Sequence, residues 1–174
     1  MFSLDSSVEI LKRTPYVLNA LLNYLSDEWT NCDEGRDTWS AFDVVGHLVH
    51  GEKTDWIPRA KIILDDSIGN KKFEPFDRFA QYRDSRGKTM QQLLKEFELL
   101  REQNLKTLES FKLSDADLKK KGIHPEFGKV TLEQLIATWA VHDLNHLNQV
   151  SRVMAKRYTR ETGPWRAYLG VLKK

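Results

Sequence analysis

The stretch TWAVHDLNHLNQV, residues 138–150, carries His142 and His146 four positions apart within an apolar repeat of helical period. Residues i and i+4 of an α-helix differ by only about 40° around the axis, so both imidazoles leave the same face. Gln149 returns to nearly the angle of His142, and Trp139 lies one turn before it, so the face reads Trp139, His142, His146, Gln149. A helix face that meets a core excludes such groups unless they find partners, because an unpaired buried polar group costs about 1–3 kcal/mol. Two imidazoles on one face are half of a transition-metal site. The chain has five histidines, and His47 lies in a second helical segment, WSAFDVVGHLVHGE, residues 39–52. Packing these segments together makes a three-histidine cluster. Keeping them apart leaves solvated or simply hydrogen-bonded histidines.

Four segments have helical periodicity, and each opens on a capping box, a Ser or Thr three residues before an acid or amide. The pairs are Ser6 with Glu9, Ser40 with Asp43, Thr89 with Gln92, and Thr131 with Gln134. The first region spans about residues 6–29, with Val17, Leu18, Leu21, Leu22 and Leu25 as its stripe; Pro15 interrupts it, either within one helix or as the start of a second. The second spans about 40–66 and bends at Pro58. The third spans about 89–111, with Leu93, Leu94, Phe97, Leu100, Leu105 and Leu108 inward. The fourth spans about 131–158, with Leu135, Trp139, Leu147, Val150 and Met154 as core. No segment alternates with a period of two between hairpin turns, which predicts no strands. Residues 67–88 are long for a helix–helix connection, so helices two and three need not be antiparallel neighbours. Phe73, Phe76 and Phe79 would pin that connector to the surface. The expectation is an all-α, four-helix bundle with a long crossover between helices two and three, forming one domain over residues 1–174.

Bulk composition narrows the function classes. With 174 residues, 40% hydrophobic and 30% charged, the chain has the make-up of a soluble globular domain with a sizeable core. A net charge of +2, with no basic run longer than Lys119–Lys121, argues against nucleic acid. No apolar window is long enough for a membrane span, and the N-terminus has no signal-peptide pattern, so a cytoplasmic location is expected. One cysteine, Cys32, excludes an internal disulfide; no histidine or basic residue stands close to it in sequence to activate it as a nucleophile. The tail ETGPWRAYLGVLKK carries Trp165, Tyr168, Leu169 and Val171, too apolar to sit in water, and so either folds back or serves a homodimer.

Around the candidate metal ligands His47, His142 and His146, several residues have two readings. Gly46 permits close approach of another chain segment beside His47. Asp43 lies one turn before His47 and either orients its imidazole or serves only the cap. His50, one turn after His47, is a candidate additional ligand or a rim histidine. Glu52 reads as a salt-bridge partner of Arg59 or Lys53. Asp143 or Gln149 would orient ligands, Trp139 would wall the pocket, and His124, beside Pro125 in a connector, reaches the mouth or stays on the surface.

The pieces DTWSAFDVVGHLVHGEKTDWIPRAKIIL, KFEPFDR, GIHPEFGKVTLEQLIATWAVHDLNHLNQVSRVMAK and GPWRAYL, with the Leu-rich third helix between them, resemble DinB-like (YfiT-like) proteins over nearly the whole chain. The resemblance implies a four-helix bundle of unusual order and a divalent metal held by His47, His142 and His146. It also implies that some relatives are thiol-dependent S-transferases or isomerases using low-molecular-weight bacterial thiols such as bacillithiol, whereas many have no known activity. Three imidazoles leave a coordination position free, as in catalytic sites, and suit zinc, nickel, iron and copper alike. The leading expectation is a thiol S-transferase acting on a small-molecule thiol and an electrophile, with Arg59, Arg101 or Arg152 meeting the thiol's carboxylates. The rivals are a metal-dependent hydrolase, a non-catalytic metal-binding stress or interaction protein whose fourth ligand closes the sphere, and a helical dimerisation module with structural histidines. Metal affinity would weaken below about pH 6.5.

Overall fold

In the computed structural model, which describes residues 2–173, four long helical units form the bundle. Helix α1 (Leu4–Leu22) starts earlier than expected because Ser3, not Ser6, caps it; Ser3 Oγ accepts the Ser6 N–H at 3.2 Å. Pro15 lies inside α1 without ending it. A proline lacks the N–H that its helix would give to the carbonyl four residues back. Here that carbonyl, Leu11 O, accepts instead from Arg101 Nη1 at 2.8 Å. The buried face of α1 is Leu11, Thr14, Leu18 and Leu22, while Val17 and Leu21 of the expected stripe face outward.

After the short α2 (Asp27–Thr30), the expected second helix is broken rather than bent. It divides into α3 (Ala41–Thr54) and α4 (Trp56–Leu64), with Asp55 at φ −106°, ψ −75° between them. Pro58 falls in the first turn of α4, where backbone N–H groups have no helical partner, so it fits a helix start. The capping boxes of α3 at Ser40–Asp43, α6 (Met90–Ser110) at Thr89–Gln92, and α8 (Leu132–Lys156) at Thr131–Gln134 form as their sequences specify. A further box at Ser114–Asp117 starts the short α7 (Asp115–Leu118).

Both α1 and α3 pack against α6 and α8. One apolar cluster joins the end of α1 (Leu22) and the starts of α3 and α6 (Ala41, Met90) to Val150 of α8; the other joins Leu11, Leu108 and Leu132. Helices α3 and α6 are therefore parallel neighbours. Parallel neighbours need a connection that returns the length of the bundle, which accounts for the long segment 65–89. That segment holds α5 (Ala80–Asp84), and Gly46 admits it: a Cβ there would lie 2.4 Å from Ser85 Oγ.

The strand-free expectation fails in one place. The connector before α8 is a hairpin, β1 (Lys121–His124) against β2 (Gly128–Thr131), and Lys72 bridges to Ile123 alongside it. Four-residue strands are too short to show alternation. The turn is held by His124, whose Nδ1 accepts the N–H groups of Glu126 and Phe127 at 3.1 and 3.3 Å. Phe73 pins the connector by burying its ring against Gly122, where a Cβ would stand 2.4 Å from it, whereas Phe79 is exposed and pins nothing. The C-terminal turns (Gly163–Tyr168, Gly170–Leu172) bury Leu172 and leave Trp165 70% and Tyr168 86% exposed. Among the described residues no helix is long and apolar enough to cross a membrane.

Between the two apolar clusters lies a buried polar layer. The Arg101 guanidinium meets Asp143 through Nη1 and Nη2 at 2.6 and 3.0 Å and Glu52 at 2.9 Å. Glu52 also accepts from Trp139 Nε1 at 3.0 Å and Asn104 Nδ2 at 2.9 Å. The guanidinium lies between the rings of Phe97 and Trp139. Its side chain is 2% exposed and those of Glu52 and Asp143 are 1% and 0%. Removing one member strands buried charge, which costs about 3–5 kcal/mol. Arg101→Met should therefore lower unfolding free energy by about that amount, read from urea denaturation with unchanged m-value. A loss below about 1 kcal/mol would mean that the layer is not holding the helices together.

Candidate metal centre

Helices α3 and α8 bring His47, His142 and His146 together at one end of a cavity of about 760 Å³. His142 Nε2 lies 3.2 Å from His47 Nε2 and 3.0 Å from His146 Nε2. Nitrogens bound to one tetrahedral zinc at 2.0–2.1 Å would stand about 3.3 Å apart, so the cluster has the spacing of a ligand set. Gln149 Oε1 lies 2.8 Å from His146 Nδ1. An oxygen there accepts the Nδ1 proton, which leaves the Nε2 lone pair of His146 pointing into the cluster. The Nδ1 atoms of His47 and His142 are buried without partners, so no outer hydrogen bond fixes their tautomers.

Each imidazole is packed by an aromatic ring. Trp39 lies 4.7 Å from His47 and stacks on His146, Phe76 meets His47 edge-on at 5.3 Å, and Trp56 meets His142 edge-on at 5.1 Å. This burial disfavours imidazolium. It pulls His47 down to about 3, aided by the charges of His146, His50 and Arg78. His142 falls to about 2 for the same first reason, with His146, His47 and Arg101 adding to it, and burial also lowers His146. His47 and His142 are therefore in the neutral, ligating form well below pH 6.5, and His146 is shifted in the same direction although Gln149 and Asp143 oppose it, so the acid limit expected for metal affinity moves down.

Other expected site residues lie elsewhere. His50 points away from the cluster, with Nδ1 3.4 Å from Asp84 Oδ2 and its ring against Phe76. Among the described residues no fourth His, Cys or carboxylate joins the three. Asp43 serves only the cap, where its Oδ2 accepts from Ser40 N and Oγ. Asp143, Trp139 and Glu52 belong to the Arg101 layer, and the wall assigned to Trp139 is formed by Trp56, which stacks on it. Lys53 pairs with Glu96 instead of Glu52. Of the three arginines expected at a ligand, Arg101 is buried in that layer and Arg152 grips Glu34, whereas Arg59 does line the cavity, paired there with Asp55. His124 does line the cavity, stacked on Phe127. Cys32 donates to Trp29 O, and burial raises its pKa more than the charge of Arg157 lowers it.

Sequence reasoning missed Trp39, Trp56 and Asp55. Trp39 precedes the α3 N-cap, a position that often carries an apolar group packed on the first turn. Asp55 at the helix break lines the cavity, and burial pushes its carboxyl up to about 6 against the pull of Arg59, with Glu52 adding to the rise. Its Oδ1 stands 2.8 Å from Arg59 Nε but off the N–H direction, an ion pair without a hydrogen bond.

A profile of the DinB superfamily matches residues 10–150. Among solved structures, the fold is similar to YfiT from Bacillus subtilis, described as "a probable metal-dependent hydrolase with an unusual four-helix bundle topology". The TM-score is 0.72 at 19% identity, covering 92% of this chain and 87% of that one. It is also similar to TT2238, "a four-helix bundle protein", with a TM-score of 0.57 at 17% identity, covering 85% of this chain and 98% of the other. No curated protein matches the sequence. At these identities the solved structures speak for the fold alone. The profile spans most of the chain, which therefore belongs to the DinB superfamily.

Proposed function

We propose that His47, His142 and His146 hold one divalent transition metal and that the protein uses it to activate a nucleophile, foremost a small thiol for transfer to an electrophile. The observation that carries this reading is the convergence of three neutral imidazoles, two buried and His142 half-buried, in an aromatic cavity with no fourth His, Cys or carboxylate beside them among the described residues. A divalent ion held by three imidazoles would keep its full charge and would lower the pKa of a thiol or water bound to it, which is how a nucleophile could be supplied near neutral pH.

The chain's own groups do the rest. Gln149 orients His146, and Trp39, Trp56 and Phe76 exclude water and strengthen electrostatic attraction at the site. Asp55 lines the same cavity, burial pushes its carboxyl up to about 6, and its Oδ1, which has no hydrogen-bond partner, would take the thiol proton. With an aryl halide, the sulfur–carbon bond forms, the carbon–halogen bond breaks, and halide leaves. Hydrolysis is the second reading; Asp55 suits proton removal from water equally, and YfiT's description as a probable metal-dependent hydrolase favours it. A closed, non-catalytic metal site has less support, because His50 turns to Asp84. The exposed Trp165 and Tyr168 fit the expected homodimer.

Untagged protein should contain about one divalent metal per chain, and His142→Ala close to none, by elemental analysis. Equal content in both would remove the assignment. Metal-loaded protein should conjugate a bacterial thiol to 1-chloro-2,4-dinitrobenzene and lose that activity in His146→Ala. Ester hydrolysis with the same dependence would favour the second reading, and no metal-dependent turnover of either kind would leave only a binding role.

The metal-free protein should also be acid-sensitive. His47 has a folded pKa near 3 against about 6.5 unfolded, so between those values the unfolded chain binds more protons. Stability is then complete above about pH 6.5 and falls as pH drops toward 3. Urea midpoints of metal-free wild type should decrease from pH 7.5 to 5, and less so in His47→Gln; parallel curves would contradict the burial argument.

A further inference from the structure

We propose that the cavity takes a ligand with an apolar body and an anionic group, and that Arg78 is the specificity-determining residue that receives the anion. This deepens the metal reading above and rests on it only for where the ligand's reacting end lies.

Arg78 lines the cavity two residues after Phe76, whose ring packs on His47, so it belongs to the histidine end. Its charge reaches His47, where it adds to the forces holding that imidazole neutral. Among the described residues Arg78 has no ion-pair or hydrogen-bond partner, although the neighbouring Asp77 is paired with Arg83 at 3.6 Å. Two other charged groups of the wall, Arg59 and Glu126, are placed differently. Arg59 is taken by Asp55 and stands 3.4 Å from Glu74 O. Glu126, an exposed carboxylate without an ion-pair partner, lies in the hairpin turn beside His124 rather than on the crossover that carries Phe76 and Arg78. The charge left without a counterion near the cluster is therefore a guanidinium, a rigid fork suited to an oxyanion. Around it the wall is Trp39, Trp56, Phe73 and Phe76, which calls for an apolar body. Such a ligand would set its acid on Arg78 and its reacting atom at the imidazoles beside it, with its apolar body against the aromatic wall.

The test titrates zinc-supplemented protein with benzylsuccinate and with its uncharged diamide, following the indole N–H signals of Trp39 and Trp56 by NMR. Arg78→Gln should weaken benzylsuccinate about fivefold, the scale of one partly exposed charge pair, and leave the diamide unchanged. Arg78→Lys should retain part of the affinity, and Arg83→Gln, outside the cavity wall, should retain all of it. Metal content of each variant is measured alongside. If Arg78→Gln binds benzylsuccinate as wild type does, or weakens both probes equally, the proposal is overturned. A separate arm titrates cobalt-loaded protein with 2-mercaptoethanol and reads thiolate-to-cobalt absorption. Absence of that band with the Arg78 effect intact removes thiol activation and leaves the anion site standing.

Discussion

A single guanidinium ties the four long helices to one another. Arg101 projects from α6 and donates to the carboxylates of Asp143 on α8 and Glu52 on α3 and to the carbonyl that Pro15 leaves free in α1. Apolar packing alone lets helices slide or rotate at modest cost, because contact energy is non-directional. A buried charge with fixed hydrogen-bond geometry permits one register. The layer stands between two apolar clusters, so each helix is fixed near its middle and packed at both ends. Pro15 fits the same logic: it costs α1 a hydrogen bond, and the orphaned carbonyl becomes an acceptor that Arg101 needs.

This register also sets the electrostatics of the histidine cluster. Asp143 follows His142 directly, so the residue that anchors α8 fixes the rotation that presents His142 and His146 to His47. The layer holds two carboxylates for one guanidinium, a surplus of negative charge beneath a site built to receive a cation. Aromatic packing works in the other direction on protons, since burial makes imidazolium costly while leaving lone pairs free. A proton and a metal ion both carry positive charge, but the metal is shared by three ligands and the proton by one. Three imidazoles that can turn their lone pairs to one ion therefore discriminate in favour of the metal.

Much of this was legible in the sequence, and the limits have physical causes. Three of four capping boxes and the histidine triad depend on spacing within or just before a helix, which the chain writes directly. Arg101 was legible too: it lies four residues after Phe97 and four before Leu105, on the buried stripe of α6, where a lone cation requires buried anions. Glu52, four after Leu48, and Asp143, four after Trp139, carry the matching signal. Reading each as a surface or ligand-facing group treated local charge as solvent-seeking, although apolar periodicity had already placed it inside. Phe76, Arg78 and the hairpin were not legible, because their positions depend on how residues 65–89 cross the bundle, and no local period encodes that path.

The crossing explains why the cavity exists. In an up-and-down bundle short loops leave the sides of the helices bare. Parallel α3 and α6 instead require a return segment along the bundle, and this one pairs Lys72 with Ile123 and seats Phe73 on Gly122. The crossover and the hairpin thus brace each other over the open side of α3 and α8, where the imidazoles emerge. Helices supply the ligand atoms with rigid spacing, whereas the crossover supplies Phe76 and Arg78 and the hairpin supplies His124 and Phe127 as walls. Changes in the crossover or the hairpin turn would alter what the cavity accepts without moving the three nitrogens, because the helices that hold them are registered separately by Arg101. Division of labour of this kind lets one metal-binding scaffold carry different substrate specificities.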